Sequence, residues 1–315
     1  MLGSGSQWPS WGSWPGPGDG GRMSASRRTV LTALAAGALA GCGRPAGLAS
    51  GGRVAVAAPA TAAWSRAPST VPRAVVPAPA ALTRTQVVDR YGHLRPHTWG
   101  FGGPGVVRGL HTSRRVIALT FDACGGPRGS GYDQALIGFL RRQEVPATLF
   151  VNSRWIDANP AVFRRLAGEP LFEIANHGTR HLPLSVTGRS AYGIRGTRNA
   201  GEVYDEVGRN QARLTRLLGV PPRLFRAGTA YSDDVAARIV TAMADHLVSF
   251  SVNGDGGATF APWQVRSAVT AAPGGSIVLC HMNHPGSGTA QGIAAAVPRL
   301  IAAGYRFVRL SDELR

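Results

Sequence analysis

The sequence predicts an α/β protein, a distorted (β/α) barrel with about seven parallel strands. Three observations lead there. From about residue 99 onward, short apolar runs alternate with helical patterns, the strand-like runs number seven, and polar or ionisable residues recur at their carboxyl ends. Strands separated by helices make β-α units and therefore a parallel sheet. In a parallel barrel the carboxyl ends converge on one mouth, where catalytic groups collect. A doubly wound sheet shares the alternation, but its dinucleotide motif lacks its context. The stretch from Gly100 to Gly105 matches G-x-G-x-x-G without a strand before it or a helix after it, and residues 16–21 match equally well in Gly-rich text. No G-x-S-x-G occurs, so a nucleophile elbow is absent.

The strand candidates are residues 116–122 (VIALTFD), 147–152 (ATLFVN), 172–176 (FEIAN), 223–226 (RLFR), 247–253 (LVSFSVN), 276–281 (SIVLCH) and 306–310 (RFVRL). Each is a short apolar run of the length that strands have. Helical spacing fills residues 133–144, 159–167, 200–218, 233–244 and 289–303.

The first hundred residues differ in kind. Residues 1–22 are mostly Gly, Ser, Trp and Pro without periodicity and read as a dispensable extension or a misassigned start. The stretch Ser26-Arg27-Arg28-Thr29-Val30-Leu31 resembles a twin-arginine export signal, and the apolar run at 29–39 is too short to span a bilayer. It ends in Leu39-Ala40-Gly41-Cys42, which resembles a bacterial lipobox with Cys42 as the lipidated residue. Residues 23–41 are thus expected to be a signal peptide, 42–98 a Pro/Ala-rich tether and linker, and 99–315 the folded domain. The expected location is the outer side of the bacterial cytoplasmic membrane, with a lipid anchor and no spanning helix.

The formal charge is +17, and every one of the 34 basic residues is arginine. These arginines are scattered, form no run of five or six, and are not interleaved with aromatics, which argues against nucleic acid as partner. The charge suits acidic surfaces such as anionic wall polymers. A monomer is expected.

The chemistry gathers at the strand ends. Asp122 closes the first strand, His177 follows the third, Arg226 closes the fourth, Asp255 lies just past the fifth, and His281 closes the sixth. Packing alone does not call for five such residues at one mouth. His177-Gly178-Thr179-Arg180-His181 is a His-x3-His pair directly after a strand, and neutral imidazoles there suit Zn²⁺ or a similar divalent ion. His93 and His97 share that spacing beside Pro96 and read as incidental.

In this order the residues resemble the polysaccharide deacetylases, carbohydrate esterase family 4, over about residues 116–310. Thr120-Phe121-Asp122 is similar to the family's first motif, which makes Asp122 the general base. Residues 176–181 resemble the second, which makes His177 and His181 metal ligands. Arg226-Ala227-Gly228 is a looser match to the third, whose Arg orients the base, and Asp255 stands where an acid tunes the catalytic His. Leu279-Cys280-His281 resembles the last motif and makes His281 the general acid, with Thr289-Ala290 opening the next helix. Tyr231 and His284 are then candidates for substrate contact, Tyr231 also for the oxyanion. The resemblance implies a metal-assisted hydrolase, Zn²⁺ first, that removes N-acetyl or other acyl groups from cell-wall or related polysaccharide.

One position departs from the family pattern. The second aspartate of the first motif, a metal ligand, is replaced by Ala123. Asp122 itself, Asp133 after the Gly-rich loop at 125–131, and Cys124 are the alternative third ligands, taken in that order. Strand alternation puts Cys124 on the same side as Asp122. On this reading Ala123→Asp restores a ligand and tightens metal binding. Two other functions stay open: a non-catalytic wall-glycan-binding lipoprotein on a decayed hydrolase barrel, and a metal-independent carbon–nitrogen hydrolase of small amides. Pairing of Cys124 with Cys280 is left open as well.

Overall fold

The computed structural model describes residues 82–314. The extension, the twin-arginine segment, Cys42 and the tether up to residue 81 lie outside the described residues. Nine strands make one sheet in which every pairing is parallel: β1 (Val106–Val107), β2 (Val116–Ala123), β3 (Ala147–Val151), β4 (Phe172–Asn176), β5 (Leu224–Phe225), β6 (His246–Val248), β7 (Val252–Asn253), β8 (Ser276–His281) and β9 (Arg306–Phe307). The order is β7-β8-β2-β3-β4-β5-β6-β1, with β9 pairing on the start of β2. The helices are α1 (Arg84–Tyr91), α2 (Gln134–Arg142), α3 (Ser153–Ala158), α4 (Pro160–Ala167), α5 (Ala200–Leu218), α6 (Asp234–Ala242), α7 (Pro262–Thr270), α8 (Thr289–Ala302) and the short α9 (Leu310–Glu313). Among the described residues no helix is long and apolar enough to cross a membrane.

The run at 247–253 is two strands rather than the single one expected. The Ser249 amide donates to Val107 O and the Ser251 amide to Ile277 O, so within three residues the chain passes from the neighbourhood of β1 to that of β8. Since β6 and β7 stand near opposite ends of the strand order, this bend carries the curled sheet toward closure. Gly109, two residues past β1, also bridges to Ser276 at the start of β8. The barrel is distorted because these short links replace a full strand pairing.

Alternation on β2 sorts the interior. Ile117, Leu119, Phe121 and Ala123 pack into the layer with Leu136 and Leu140 of α2 and Trp155 of α3. Val116 and Ala118 face the other side with Phe150, Ala175, Val248 and Ile277. Period two therefore gives residues 120, 122 and 124 the barrel interior and its mouth.

The folded domain begins earlier than expected. Thr83 caps α1 in a capping box with Gln86, and Val87 and Tyr91 are buried with residues of α5 and α6, so residues from 82 onward belong to the domain rather than to the linker. α3 and α7 were also not foreseen. Each is short, and α7 announces itself only by Pro262 at its first turn.

Candidate metal and acid–base site

Register brings the strand ends together. His281 on β8 is opposite Asp122 on β2, Asp122 is opposite Phe150 on β3, and Val151 is opposite Asn176 on β4, which pairs with Phe225 on β5. Arg226 is wholly buried, donates from Nη1 to Asp122 Oδ1 at 2.7 Å and from Nη2 to Ser249 O at 3.0 Å, and its guanidinium lies 4.0 Å from the centre of the Phe150 ring. A buried charge pair of this kind is stable only when both charges are satisfied. Here the pair fixes one carboxylate oxygen and leaves Asp122 Oδ2 facing His177 Nε2 at 3.4 Å.

His177 sits at the carboxyl end of β4 and is fully buried. Its Nδ1 is 2.9 Å from Arg226 O. A carbonyl only accepts, so Nδ1 carries the proton and the Nε2 lone pair points into the mouth, the arrangement that a metal-ligating imidazole needs. Cys124 Sγ is 3.7 Å from that Nε2, and the His177 and His181 rings meet edge to face at 4.8 Å. Cys124, His177 and His181 each offer one donor atom, and these atoms lie within 4.8 Å of one another. Among the described residues this is the one such group of three metal-ligating side chains. Burial pushes the Cys124 thiol up, but the charge of His181 and hydrogen bonding with His177, His181 and His281 outweigh it and hold the thiol well below its ordinary value. Burial lowers His177 while Asp122 and Cys124 raise it, with a net rise.

The loop between the two histidines is held from α5 and β3. Asn152 donates to the carbonyls of His177 and Gly178 at 2.9 and 2.8 Å. Buried Glu206 on α5 accepts from the amides of Arg180 and Leu182 at 2.9 and 3.2 Å. His181 itself has φ +62°, and the loop after β5 presses on it. A methyl group at Gly228 would collide with the His181 carbonyl and the Leu182 amide, so only glycine fits there.

Beside this group stands a second buried pair. Asp255 accepts from His281 Nδ1 at 3.0 Å, from the His281 amide at 2.6 Å, from Thr289 Oγ1 at 3.0 Å and from the Gly257 amide at 3.1 Å. Burial pulls the His281 imidazole down, but the charge and hydrogen bond of Asp255 prevail and hold it well above its ordinary value. Burial alone raises Asp255, and His281 with the other donors brings it below the usual carboxylate range. The geometry anchors His281 Nδ1 on Asp255 and leaves Nε2 on the side of Cys124, at the mouth.

Of the expected third ligands, Asp133 is not at the site. It caps α2, accepting the Leu136 amide through Oδ1 at 2.9 Å, because the Gly-rich loop ends in the helix and not at the histidines. Asp122 lies next to His177 but outside the group of three, tied to Arg226. Cys124, placed last in the sequence reading, is the residue that the structure brings to the pair. Ala123 points away, fully buried in the apolar layer under the helices, so it does not face the mouth at all. Cys124 and Cys280 are both free. Burial holds the Cys280 thiol well above its ordinary value. His284 stands with its ring 6.5 Å from that of His281 and is lowered by burial and by the His281 charge. Tyr231 joins an aromatic group with Trp99, Phe101 and Tyr192 at centroid distances of 5.5–5.7 Å. Sequence reasoning missed Asn152 and Glu206, which hold the histidine loop, and Asn210, which donates to Asn176 Oδ1 at 2.8 Å just before it. The available signal was Glu206 and Asn210 falling on the same α5 stripe as Val203, Val207 and Leu214.

Residues 109–245 match the family model described as polysaccharide deacetylase. A peptidoglycan-N-acetylglucosamine deacetylase from Bacillus cereus is 28% identical over 207 residues, covering 64% of this chain and 90% of the relative. Among solved structures, a family 4 carbohydrate esterase pseudoenzyme from Bacillus anthracis superposes with a TM-score of 0.57 at 19% identity, covering 68% of this chain and 70% of its own. A family 4 carbohydrate esterase from Bacillus anthracis gives 0.53 at 22%, covering 70% and 96%. The matched segment runs from Gly109, just past β1, to Asp245, just before β6; over it the chain is similar to the polysaccharide deacetylases, carbohydrate esterase family 4, whose solved structures share its fold.

Proposed function

We propose that this chain is a hydrolase that removes N-acetyl groups from a polysaccharide, a cell-wall polymer first. One observation carries the reading: two buried acid–base pairs, Asp122–Arg226 and His281–Asp255, stand beside three convergent metal donors. The donors fit a divalent ion, because the Arg226 carbonyl fixes the His177 tautomer and turns the Nε2 lone pair toward the other two. Such an ion supplies polarisation of the acetamide carbonyl and a lowered pKa for the attacking water. Asp122, with one oxygen committed to Arg226, takes the proton of that water on the other. His281 gives its Nε2 proton to the sugar nitrogen as the C–N bond breaks, so that acetate and a free amine leave. Asp255 keeps His281 protonated and oriented for that step. His284, beside His281, and Tyr231 are the sugar contacts of this reading.

The test is acetate release from N-acetylglucosamine oligomers by the purified chain, lost on chelation and restored by Zn²⁺. Asp122→Asn and His281→Ala are expected to be inactive, and turnover that survives both substitutions refutes the assignment. Glycan binding without turnover in the unaltered chain points instead to the wall-glycan-binding reading. The intact Asp122–Arg226 and His281–Asp255 pairs argue against that outcome.

A further inference from the structure

The hydrolase reading needs an ion but does not depend on which residue completes the histidine pair, and the sequence offers three candidates for that third donor. Asp133 caps a helix, as described. Asp122 has one oxygen on Arg226 at 2.7 Å and is outside the set of mutually close donors. Cys124 is inside it, with Sγ 3.7 Å from His177 Nε2. Its position follows from the backbone. It is the first residue past β2, on the face of Asp122, and the turn after it is tightly built. Gly125 has φ +68° and packs against the backbone of Arg154 and Trp155, where a Cβ has no room. The Gly125 amide donates to Gly129 O at 2.9 Å, and Asn283 Nδ2 donates to the same oxygen at 2.8 Å. The turn that carries Cys124 is thus pinned to β3's following helix on one side and to the loop after β8 on the other.

We propose that the metal centre of this chain is a Cys124–His177–His181 site, with a thiolate as the third protein ligand and Asp122 free of ligand duty. The proposal deepens the hydrolase reading, and it rests on that reading only for the statement that a metal serves the reaction. Three protein donors with one open position is the usual composition of a catalytic zinc site. A sulfur among two imidazoles makes the set softer than one completed by a carboxylate, which favours Zn²⁺ and Co²⁺ over Mn²⁺ and Mg²⁺. It also resolves the double duty that Asp122 otherwise carries, since a carboxylate bound to the ion is a weaker base toward water. Metal binding to a thiolate releases the thiol proton to solvent, so no oxidant or other reactant is involved.

The ligand is read directly, without turnover. The full chain is stripped of metal and loaded with Co²⁺. A sulfur-to-cobalt charge-transfer band in the near ultraviolet is expected, absent in Cys124→Ser. Cys124→Asp is expected to bind Co²⁺ without that band and to shift its preference from Zn²⁺ toward Mn²⁺. Cys124→Ser is expected to lose at least about tenfold in Zn²⁺ affinity, the scale on which even outer partners of ligands act. A second measurement needs no variant. Iodoacetamide labelling followed peptide by peptide should modify Cys124 in the metal-free chain and spare it with Zn²⁺ bound, while buried Cys280 stays unlabelled throughout. Cobalt bound at one equivalent without a thiolate band, or Cys124 labelled at the same rate with and without Zn²⁺, overturns the proposal. An inactive protein that nonetheless shows the band and the protection sinks the hydrolase reading and leaves the ligand assignment standing.

Discussion

Replacing Asp255 by Asn should move the alkaline limb of the pH–rate profile downward. Asp255 is fully buried and accepts four hydrogen bonds, two of them from His281. Asparagine keeps one acceptor oxygen. If that oxygen stays on the His281 amide and Thr289, the amide nitrogen faces His281 Nδ1, which then must accept instead of donate. The imidazolium loses a charged partner that holds its pKa well above the ordinary value. A hydrogen bond to a charged group contributes about 1.5–3 kcal/mol. One pKa unit corresponds to about 1.36 kcal/mol, so the His281 titration should fall by roughly one to two units.

The sign follows from the protonation state that the reaction uses. His281 must carry its proton to donate it, so activity holds below its pKa and is lost as pH rises through it. In Asp255→Asn that loss arrives one to two pH units earlier, and kcat at the optimum drops by as much as the roughly 10²–10⁴-fold that a general acid contributes. Stability moves in the same sense. Asp255, depressed in the fold, contributes above its ordinary carboxylate value, and His281, raised in the fold, contributes until pH climbs through its raised value. The variant should therefore be most destabilised in the window between the two. The assay is kcat/KM for acetate release across pH 5–10, alongside denaturation at the same pH values. An alkaline limb that stays in place, with the variant folded, refutes the role of Asp255.

Three further substitutions test other links. Asp245 is buried, receives one bond from Gln211 at 3.0 Å, leaves Oδ2 unpaired, and is pushed up to about 7 by burial against the charge of Arg223. A raised carboxylate costs stability as pH climbs from its ordinary value through about 7, so Asp245→Asn should equal the parent near pH 4 and exceed it by about 2–4 kcal/mol at pH 8.5; a difference independent of pH in urea unfolding would count against this. Gly228→Ala forces a methyl into the His181 backbone and should weaken Zn²⁺ binding by about 10–100-fold in titration calorimetry, and unchanged affinity means that the loop yields. Ala123→Asp, expected from sequence to tighten metal binding, should instead destabilise by on the order of 3–5 kcal/mol, because the carboxylate enters the layer occupied by Trp155 and Leu136. A tighter Zn²⁺ site in a stable Ala123→Asp protein would contradict the strand geometry.

The strand-end residues were legible because an ionisable group that closes an apolar run has no packing reason to be there, and Asp122, His177, Arg226 and His281 all do this. The residues that hold the histidine loop were not. Asn152 acts on residues 177 and 178, and Glu206 on 180 and 182, contacts that only the tertiary fold brings about; in sequence each is one polar residue among many. The split of 247–253 was hidden for the same reason, since its bend depends on which neighbours Ser249 and Ser251 find. Position 123 is a different case, because there the information was present and was weighted wrongly. Matching motif to motif assigns the missing ligand to residue 123. The pleat does not allow it: once Asp122 faces the interior, period two sends the next side chain under the helices and returns the one after to the mouth. Ala123 is wholly buried in the apolar layer and Cys124 stands with His177 and His181. A small apolar residue at 123 is what that layer requires, and the side chain that reaches the two histidines lies one residue later. Where a motif position and a strand's alternation disagree about which side chain reaches a site, the alternation has the stronger claim, because a residue cannot change faces without breaking the ladder hydrogen bonds on both sides of it.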